Sequence, residues 1–549
     1  MAELTGSEIL AKALRAEGTE HFFYLMGGPM LKAENSCMRE GIRGIDVRHE
    51  QAAAMMANAY ARLRQKPGVC MAASGPGVIN LTTGIAHALI DCAPVVAIGG
   101  SSPSNLVGRQ AFQEIDQVAI MKPITKWAER IEHLDRIPEK INVAFQRAMS
   151  GKPGPVYLDF PADLLFETMD EDAIDWSFAR RPLLEARPMG DPAKIGSLVE
   201  ALRAARRPIV VSGSGVIWSK AWSQLQAFVE RTGMPFFPTP QGRGVIPDDH
   251  EYAYAGARSQ AFAEADFVLI VGTRMNYVIG HGLSPRFSKN AVIARIDIDA
   301  DEIATSAREV EIGIVGDCRS VLEQLTSAID ASVDAARYAE WRKTLESQDR
   351  ARKATNAEEK YDAEPIHPIR LLQEINAIAR RDAILAVDGQ EILNYGRQIM
   401  PTFMPGHRLN SGVFGTMGVG LPFGLGAKIA KPDTQVIVVH GDGAFGMNGL
   451  ELDTAVRLNI PVLVVISLNG GWSADEPRGK PGRDLGYTRF DKLAESLGCY
   501  GEFVERVEDI GPALRRAQAK VDAGITAVVN VRTDSHARCA TQKFTLSMT

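Results

Sequence analysis

Asp442 and Asn469 stand 27 positions apart, each just past the end of an apolar run: VIVVHGDGAFG (436–446) and VLVVISLNGGW (462–472). Such runs read as buried strands of a parallel sheet, and ligands collect outside the carboxyl ends of those strands. A carboxylate, an amide oxygen and a neighbouring backbone carbonyl form a hard-oxygen set suited to Mg2+. That ion keeps part of its water shell and bridges substrate phosphates. Gly441, Gly443, Gly470 and Gly471 let the backbone come close to a diphosphate. Taken singly, each motif is an ordinary strand-to-loop turn. Their spacing and shared sheet edge point to a metal-bridged diphosphate.

Glu50 offers a second kind of chemistry. It follows the strand-like GIRGIDVRH and opens a helical pattern, EQAAAMMANAYAR, whose small residues permit close packing. A glutamate in the first turn also simply suits the helix dipole, by about 0.3–1 kcal/mol. Upstream of the metal motif lies HRLNSGVFGTMGVGLPFGLGA (407–427). By residue type its glycines are close-packing positions and Met417 a core gap-filler. Gly389–Gln390–Glu391 follow the strand AILAVD and form one more turn.

The elements that must position these groups recur three times. Over the first 180 residues, short apolar runs (HFFYLM, GVCMAAS, PVVAIGG, GPVYLDF) alternate with helical patterns. This rhythm implies a parallel sheet covered by helices on both faces. It resumes at RPIVVSGSG, FVLIVGTR and VIARIDID in a middle domain over 190–335. A charged stretch over 336–365 reads as a helix and linker. The rhythm returns over 366–535 with AILAVDG, TQVIVVHGDG, PVLVVISLNGG and ITAVVNVR, and a tail over 536–549 is expected to fray. The fold class is therefore α/β, with three consecutive doubly wound parallel-sheet domains.

Composition agrees with a multidomain globular chain: 549 residues, 45% hydrophobic and 23% charged. Sixty-one basic against 67 acidic residues give a net charge of −6, which offers no basic field for nucleic acid. Six scattered cysteines without a CxxC pair argue against structural zinc and disulfides. The start, MAELTGSEILAKALRAEG, lacks the pattern of a signal peptide. No apolar run approaches the roughly 18 residues of a membrane span. A cytoplasmic enzyme without membrane partners is the expectation.

Taken together, the motifs resemble those of thiamine-diphosphate-dependent enzymes, in which GDG and a later Asn are the metal signature. The resemblance implies that Asp442, Asn469 and the Gly471 carbonyl hold Mg2+. Gly441 and the amides around Gly443 and Ala444 would hold the diphosphate, with Gly389–Gln390–Glu391 as a second contacting turn. GTMGVGLP matches the loop whose bulky residue, here Met417 with Gly415 beside it, supports the cofactor in a bent conformation. HEQAAAMMANAYAR matches the segment that carries the activating glutamate, Glu50. SGPGVINLTTGIAHALIDCAPVVAIGG (74–100) and RQAFQEIDQVAIMKPITKW (109–127) extend the match, and Gly28 and Asn80 fall at cofactor-binding positions. The cofactor is an electron sink whose reaction starts with loss of the thiazolium C2 proton. Its own aminopyrimidine takes that proton once a buried carboxyl engages the far ring nitrogen. In such enzymes the pyrimidine-binding domain faces the diphosphate domain of a neighbouring chain. A homodimer or homotetramer with active sites between chains is implied.

The resemblance spans nearly the whole chain, in the domain order of acetolactate synthases, benzaldehyde lyases, oxalyl-CoA decarboxylases and 2-hydroxyacyl-CoA lyases. GRGVIPDDHEYAYAGARSQAFAEADFVLIVGTRMNYVIGHG (242–282) is similar to the last two. The implied reaction splits a 2-hydroxyacyl-CoA into formyl-CoA and an aldehyde or ketone, or runs the reverse condensation. The alternatives are a carboligase or decarboxylase acting on free 2-keto acids or 2-hydroxy ketones, and an oxalyl-CoA decarboxylase. A catalytically dead nucleotide-binding scaffold is the rival of another class. Gln113 and Glu114 would line the substrate pocket, the helix after Gly75–Pro76–Gly77 would present amides to an oxyanion, and Arg408, Arg478 and Lys480 are candidates for CoA phosphates. Gly213, Gly215, Arg274, Asp297 and Asp317 resemble an ADP-type site in the middle domain. No segment matches the flavin-contacting stretch of acetolactate synthases, so FAD is not expected. Two departures stand out. Residues 472–491 are unlike the lyases, and Phe112–Gln113–Glu114 replaces the Tyr–Glu pair of oxalyl-CoA decarboxylases.

Overall fold

The computed structural model describes residues 3–357, 359–472 and 481–539. Three large sheets, each parallel throughout, follow one another along the chain, and a two-stranded antiparallel ribbon pairs Glu3–Thr5 with Thr168–Asp170. The first holds β1 (His21–Leu25), β2 (Arg43–Asp46), β3 (Gly68–Ala72), β4 (Val95–Ser101), β5 (Trp127–Arg130) and β6 (Val156–Pro161). The middle sheet holds β7 (Pro208–Ser212), β8 (Phe236–Pro238), β9 (Phe267–Val271), β10 (Val292–Asp297) and β11 (Ile312–Val315). The third holds β12 (Ile384–Asp388), β13 (Arg408–Asn410), β14 (Val436–Gly441), β15 (Leu463–Leu468), β16 (Tyr500–Val504) and β17 (Ala527–Arg532). Helices cover the sheets, and the chain is an α/β protein of three domains.

The first and third sheets have the same topology. Their orders are β2-β1-β3-β4-β6-β5 and β13-β12-β14-β15-β17-β16. In each, the strand order reverses between the first and third strands. That switch point leaves a crevice at the carboxyl edge where ligands bind. In the third sheet it opens between the turn after β12, Gly389–Glu391, and the turn after β14, Asp442. In the first it opens between the loop after β1, which carries Gly28, and the Gly75 turn after β3.

Seven helices join this frame to the sites. In the first domain these are α1 (Glu50–Arg64) and α2 (Pro76–Ile90). The helix α3 (Ala339–Asn356) follows the middle sheet. The third domain adds α4 (Glu391–Ile399) and α5 (Gly420–Ala430), with shorter helices α6 (Asp442–Asn448) and α7 (Glu451–Arg457). In α1 every residue from Ala52 to Leu63 is buried, and in α5 every residue from Gly420 to Ala427. A helix that is apolar and small all round belongs in a core. The two share one core that runs from the first domain into the third. Gly426 makes the contact: a Cβ there would lie 2.5 Å from the Met56 carbonyl oxygen.

Part of the 336–365 linker is a structural helix of the middle domain. Trp341 and Leu345 of α3 enter that core, and the Trp341 indole donates to the Pro208 carbonyl at 3.2 Å. The tail is docked as far as Cys539, where Ala537 and Cys539 are buried. Among the described residues no helix is long and apolar enough to cross a membrane.

Candidate active site

Gly389, Gln390, Glu391, Met417, Gly441, Asp442, Gly443, Ala444, Asn469 and Gly471 all line one cleft at the switch point of the third sheet, together with Trp472 and Ser467. Asp442 is buried and its carboxylate organises both turns. It accepts from the Gly443 amide at 2.9 Å and, across to the next strand's loop, from the Gly470 amide at 2.7 Å. The Asn469 side-chain oxygen accepts from the Gly471 amide at 3.1 Å. The backbone is tight: a Cβ on Gly443 would lie 2.6 Å from the Trp472 ring. A carboxylate, an amide oxygen and glycine backbone brought to one crevice suit a divalent cation and a diphosphate.

Glu391 also has a second contact, through its side chain. Its side chain is 5% exposed and accepts from the Cys539 amide at 3.0 Å, so it holds the tail against α4. Burial pushes its carboxyl upward in pKa. An ionised side chain here would repel a diphosphate, which leaves that contact to the backbone of the turn.

Glu50 begins α1 on the first domain and is 7% exposed. The Asn80 amide of α2 donates to it at 2.9 Å, so these two sequence-predicted residues meet. A Cβ on Gly77 would lie 3.4 Å from the other carboxyl oxygen, so α2 packs directly against it. Gln113 joins the same edge: its backbone is left-handed (φ 61°), and its side chain accepts from the Ser74 hydroxyl at 2.7 Å. Ser74 in turn donates to the Gly28 carbonyl at 3.5 Å. The Glu114 carboxylate is turned onto its own backbone. It staples its own loop by accepting from the Gly108 and Ala111 amides, which hold its pKa down. The Gly75 amide at the start of α2 is likewise taken, by the Gln117 side chain. An oxyanion would have to use other donors.

Two residues of GDGAFGMNGLELDT (441–454), a stretch similar to the GD-x-AFG-x-x-G-x-E pattern but given no role from the sequence, tie the domains together beside Glu50. The Glu451 carboxyl, 1% exposed, accepts from the Arg48 amide at 3.0 Å and the His49 amide at 3.2 Å. Burial raises its pKa to about 7. Asn448 donates to the Gln51 side chain at 3.2 Å and to the Gly418 carbonyl at 2.8 Å. Within one chain, Glu50 does not line the cleft of the third domain.

A second cavity of about 330 Å3 lies where all three domains meet. Arg274, Asp297, Asp317 and Gly215 line it. Gly213 does not; it is a close-packing position whose Cβ would fall 2.3 Å from Thr273. Arg274 donates to the Cys92 sulfur at 2.9 Å and pairs with Glu302 at 3.2 Å, while Asp317 caps a helix and pairs with Arg187 at 3.4 Å.

Arg408 is not a solvated surface charge. It is 2% exposed on β13, and burial drives its pKa well down. Near it lie Arg243 and Arg397, and these two with Arg286 also neighbour Arg258, which burial and the three like charges bring to about 9. Arg243 pairs with Asp248 at 2.6 Å. Among the described residues the other four form no ion pair, although Asp248 also lies near Arg408, and Nε and Nη2 of Arg258, Nε of Arg397 and both Nη atoms of Arg408 make no hydrogen bond. Arg258 lay inside a motif read from the sequence; Arg286 and Arg397 gave no signal. Arg478 and Lys480 lie outside the described residues.

Comparison with known proteins agrees with this geometry. The chain matches the N-terminal thiamine pyrophosphate-binding domain model over residues 4–120, the central domain of the same enzymes over 195–325, and their C-terminal thiamine pyrophosphate-binding domain over 393–531. It is 34% identical to a 2-hydroxyacyl-CoA lyase of Arabidopsis thaliana, over 97% of this chain and 96% of the relative. It is also 34% identical to an acetolactate synthase large subunit of Mycobacterium tuberculosis, over 96% and 95%. An oxalyl-CoA decarboxylase of Escherichia coli is 31% identical over 93% and 92%. Two binding domains at either end, a matching centre and relatives along the full length lead to one conclusion: the chain belongs to the thiamine pyrophosphate enzymes.

Proposed function

We propose that this enzyme cleaves 2-hydroxyacyl-CoA thioesters to formyl-CoA and an aldehyde or ketone, and catalyses the reverse condensation. The observation that carries this choice is the arginine group at the junction of the middle and third domains. Guanidinium nitrogens left without a partner inside the protein, as at Arg258, Arg397 and Arg408, are costly unless an anion meets them. A phosphorylated nucleotide handle such as that of CoA supplies several anionic oxygens, whereas a free keto acid brings one small carboxylate. Arg397 sits six residues along α4 from Glu391 in the cleft, roughly 9 Å at the helical rise per residue. A thioester anchored at the arginines would thus reach the cleft.

Thiamine diphosphate, when bound, supplies the electron sink for breaking the carbon–carbon bond. Asp442, Asn469 and the Gly471 carbonyl would hold Mg2+ and through it the diphosphate. Met417 would support the rings, and Glu50 would engage the pyrimidine of a cofactor held by a partner chain. Exposed apolar side chains support that assembly: Met26, Phe112 and Ile115 near Glu50, and Met447 and Leu450 beside the cleft are 48–87% exposed. Patches of this kind mark interaction surfaces. Sedimentation that shows an active monomer would remove this part of the reading. The three-domain cavity is proposed to take an ADP-type nucleotide, to be tested by calorimetry with ADP.

The decisive assay offers a 2-hydroxyacyl-CoA and pyruvate side by side. Release of formyl-CoA from the thioester supports the proposal. Acetolactate from pyruvate without thioester cleavage would instead assign the enzyme to the free keto acids.

A further inference from the structure

Three cofactor segments of the third domain converge on one buried carboxylate that neither the motifs nor the resemblance singles out. Asp388 is the last residue of β12 and is 0% exposed. One of its oxygens accepts from the Gly389 amide at 2.7 Å, which opens the turn Gly389–Glu391. The other accepts from the Gly420 amide at 2.9 Å, just past the loop that carries Met417. The same oxygen lies 3.5 Å from the His440 ring, on the strand that leads into Asp442. His440 is 1% exposed, and neither of its ring nitrogens makes a hydrogen bond among the described residues.

The Met417 loop is held from two sides. Gly418 and Gly415 have left-handed backbones, φ 84° and 73°, so the segment follows no regular element that would fix it. On one side the Gly420 amide is bound by Asp388; on the other the Gly418 carbonyl accepts from Asn448 at 2.8 Å. A Cβ on Gly420 would lie 2.5 Å from the His440 ring and 2.9 Å from Asp388, so the loop passes flush against this pair. Irregular backbone inside a core needs a partner for each amide, and an ionised carboxylate has room for several.

We propose that Asp388 is a positioning residue: it sets the Met417 loop at a fixed height over the turn Gly389–Glu391, and so places the Met417 side chain against the cofactor cleft. Asp388 touches neither cofactor nor substrate; it acts through Met417. The inference rests on the reading of this cleft as the cofactor site and is independent of the acyl substrate.

The test is a double-mutant cycle on thiamine diphosphate binding in the presence of Mg2+, read by calorimetry on the full-length protein. Asp388→Asn keeps the side-chain shape and replaces one acceptor by a donor. It is expected to weaken cofactor binding about tenfold in the wild-type background and by less than about threefold in the Met417→Ala background. Inorganic pyrophosphate with Mg2+ is expected to lose less affinity for Asp388→Asn than thiamine diphosphate does, because the Asp442 clamp is unchanged and only the Gly389 turn is touched. Equal losses in both backgrounds, or an equal loss for pyrophosphate, would make Asp388 a general support of the domain and overturn the proposal. Asn448→Ala releases Gly418 from the opposite side. It should show the same dependence on Met417, which keeps the question answerable if Asp388→Asn does not fold. Failure of the wild type to bind thiamine diphosphate would remove the reading of the cleft itself.

Discussion

At the scale of single residues, the chemistry rests on a few carboxyl groups in unlike surroundings. Glu50 is buried against Asn80 with one amide donor, whereas Asp442 is surrounded by glycine amides at a sheet edge. The first suits proton sharing with a ring and the second suits a cation. Glu50→Gln should therefore lower turnover by about 10²–10⁴-fold while cofactor affinity changes little. Exchange of the C2 proton of bound cofactor with deuterium, followed by NMR, should slow in parallel; unchanged exchange would reassign the activation step. Glu34 illustrates a buried acid with another consequence. It is 0% exposed, neither oxygen has a hydrogen-bond partner among the described residues, and burial with Asp46 nearby raises its pKa to about 8. A carboxyl whose folded pKa exceeds its unfolded value binds the proton more tightly when folded. Its contribution is then complete below the unfolded value near 4.5 and falls as pH rises toward 8. Glu34→Gln should leave melting at pH 5 nearly unchanged and raise the transition of the first domain at pH 8 by about 2–4 °C. Calorimetric scans at the two pH values check this.

Among elements, the crossing of α1 and α5 governs how the domains sit. Both helices are buried on all sides, and they approach through Gly426 against the Met56 backbone. The close approach brings Asn448 and Glu451 onto the residues that flank Glu50. Gly426→Val would force backbone against side chain where neither yields easily. A loss of about 1–3 kcal/mol is expected, with the first and third domains melting together at lower temperature. Scanning calorimetry that shows no shift would mean the crossing tolerates an added side chain. The short helices α6 and α7 matter for the same reason. They carry Asp442 at one end and Glu451 at the other, so one continuous segment touches the metal position and the approach to Glu50.

For the whole molecule, the chemistry depends on surfaces that distant parts of the chain supply. The arginine group draws on residues 243–408, from two domains. Its charge is concentrated although the chain as a whole is acidic, with net charge −6. Arg258→Ala combined with Arg397→Ala should raise KM for a CoA thioester by about 10–100-fold, since charge-assisted contacts to phosphate are strong. Turnover of a small substrate lacking the nucleotide should stay as it was. Steady-state kinetics with both substrates separates the two effects, and an equal rise for both would place the arginines outside CoA binding.

Taken by itself, the order of residues determined the three α/β units, the central strands and the chemical groups Glu50, Asp442 and Asn469. Continuous apolar runs such as VIVVHG can only be buried strands, and a motif confined to a few neighbours keeps its meaning before folding. Several edge strands gave no such signal. Trp127–Arg130 and Tyr500–Val504 are only partly buried along most of their length, and Arg408–Asn410 is three residues long, so none shows a long apolar run. Tertiary structure alone decided that the first and third sheets share one strand order, because pairing order is a property of space and their sequences do not repeat. It alone decided that Glu114 staples a loop, that Glu391 holds the tail, and that Arg408 lies buried among other arginines. A side chain's partner across hundreds of residues is set by how helices and sheets pack, and local sequence carries no record of that.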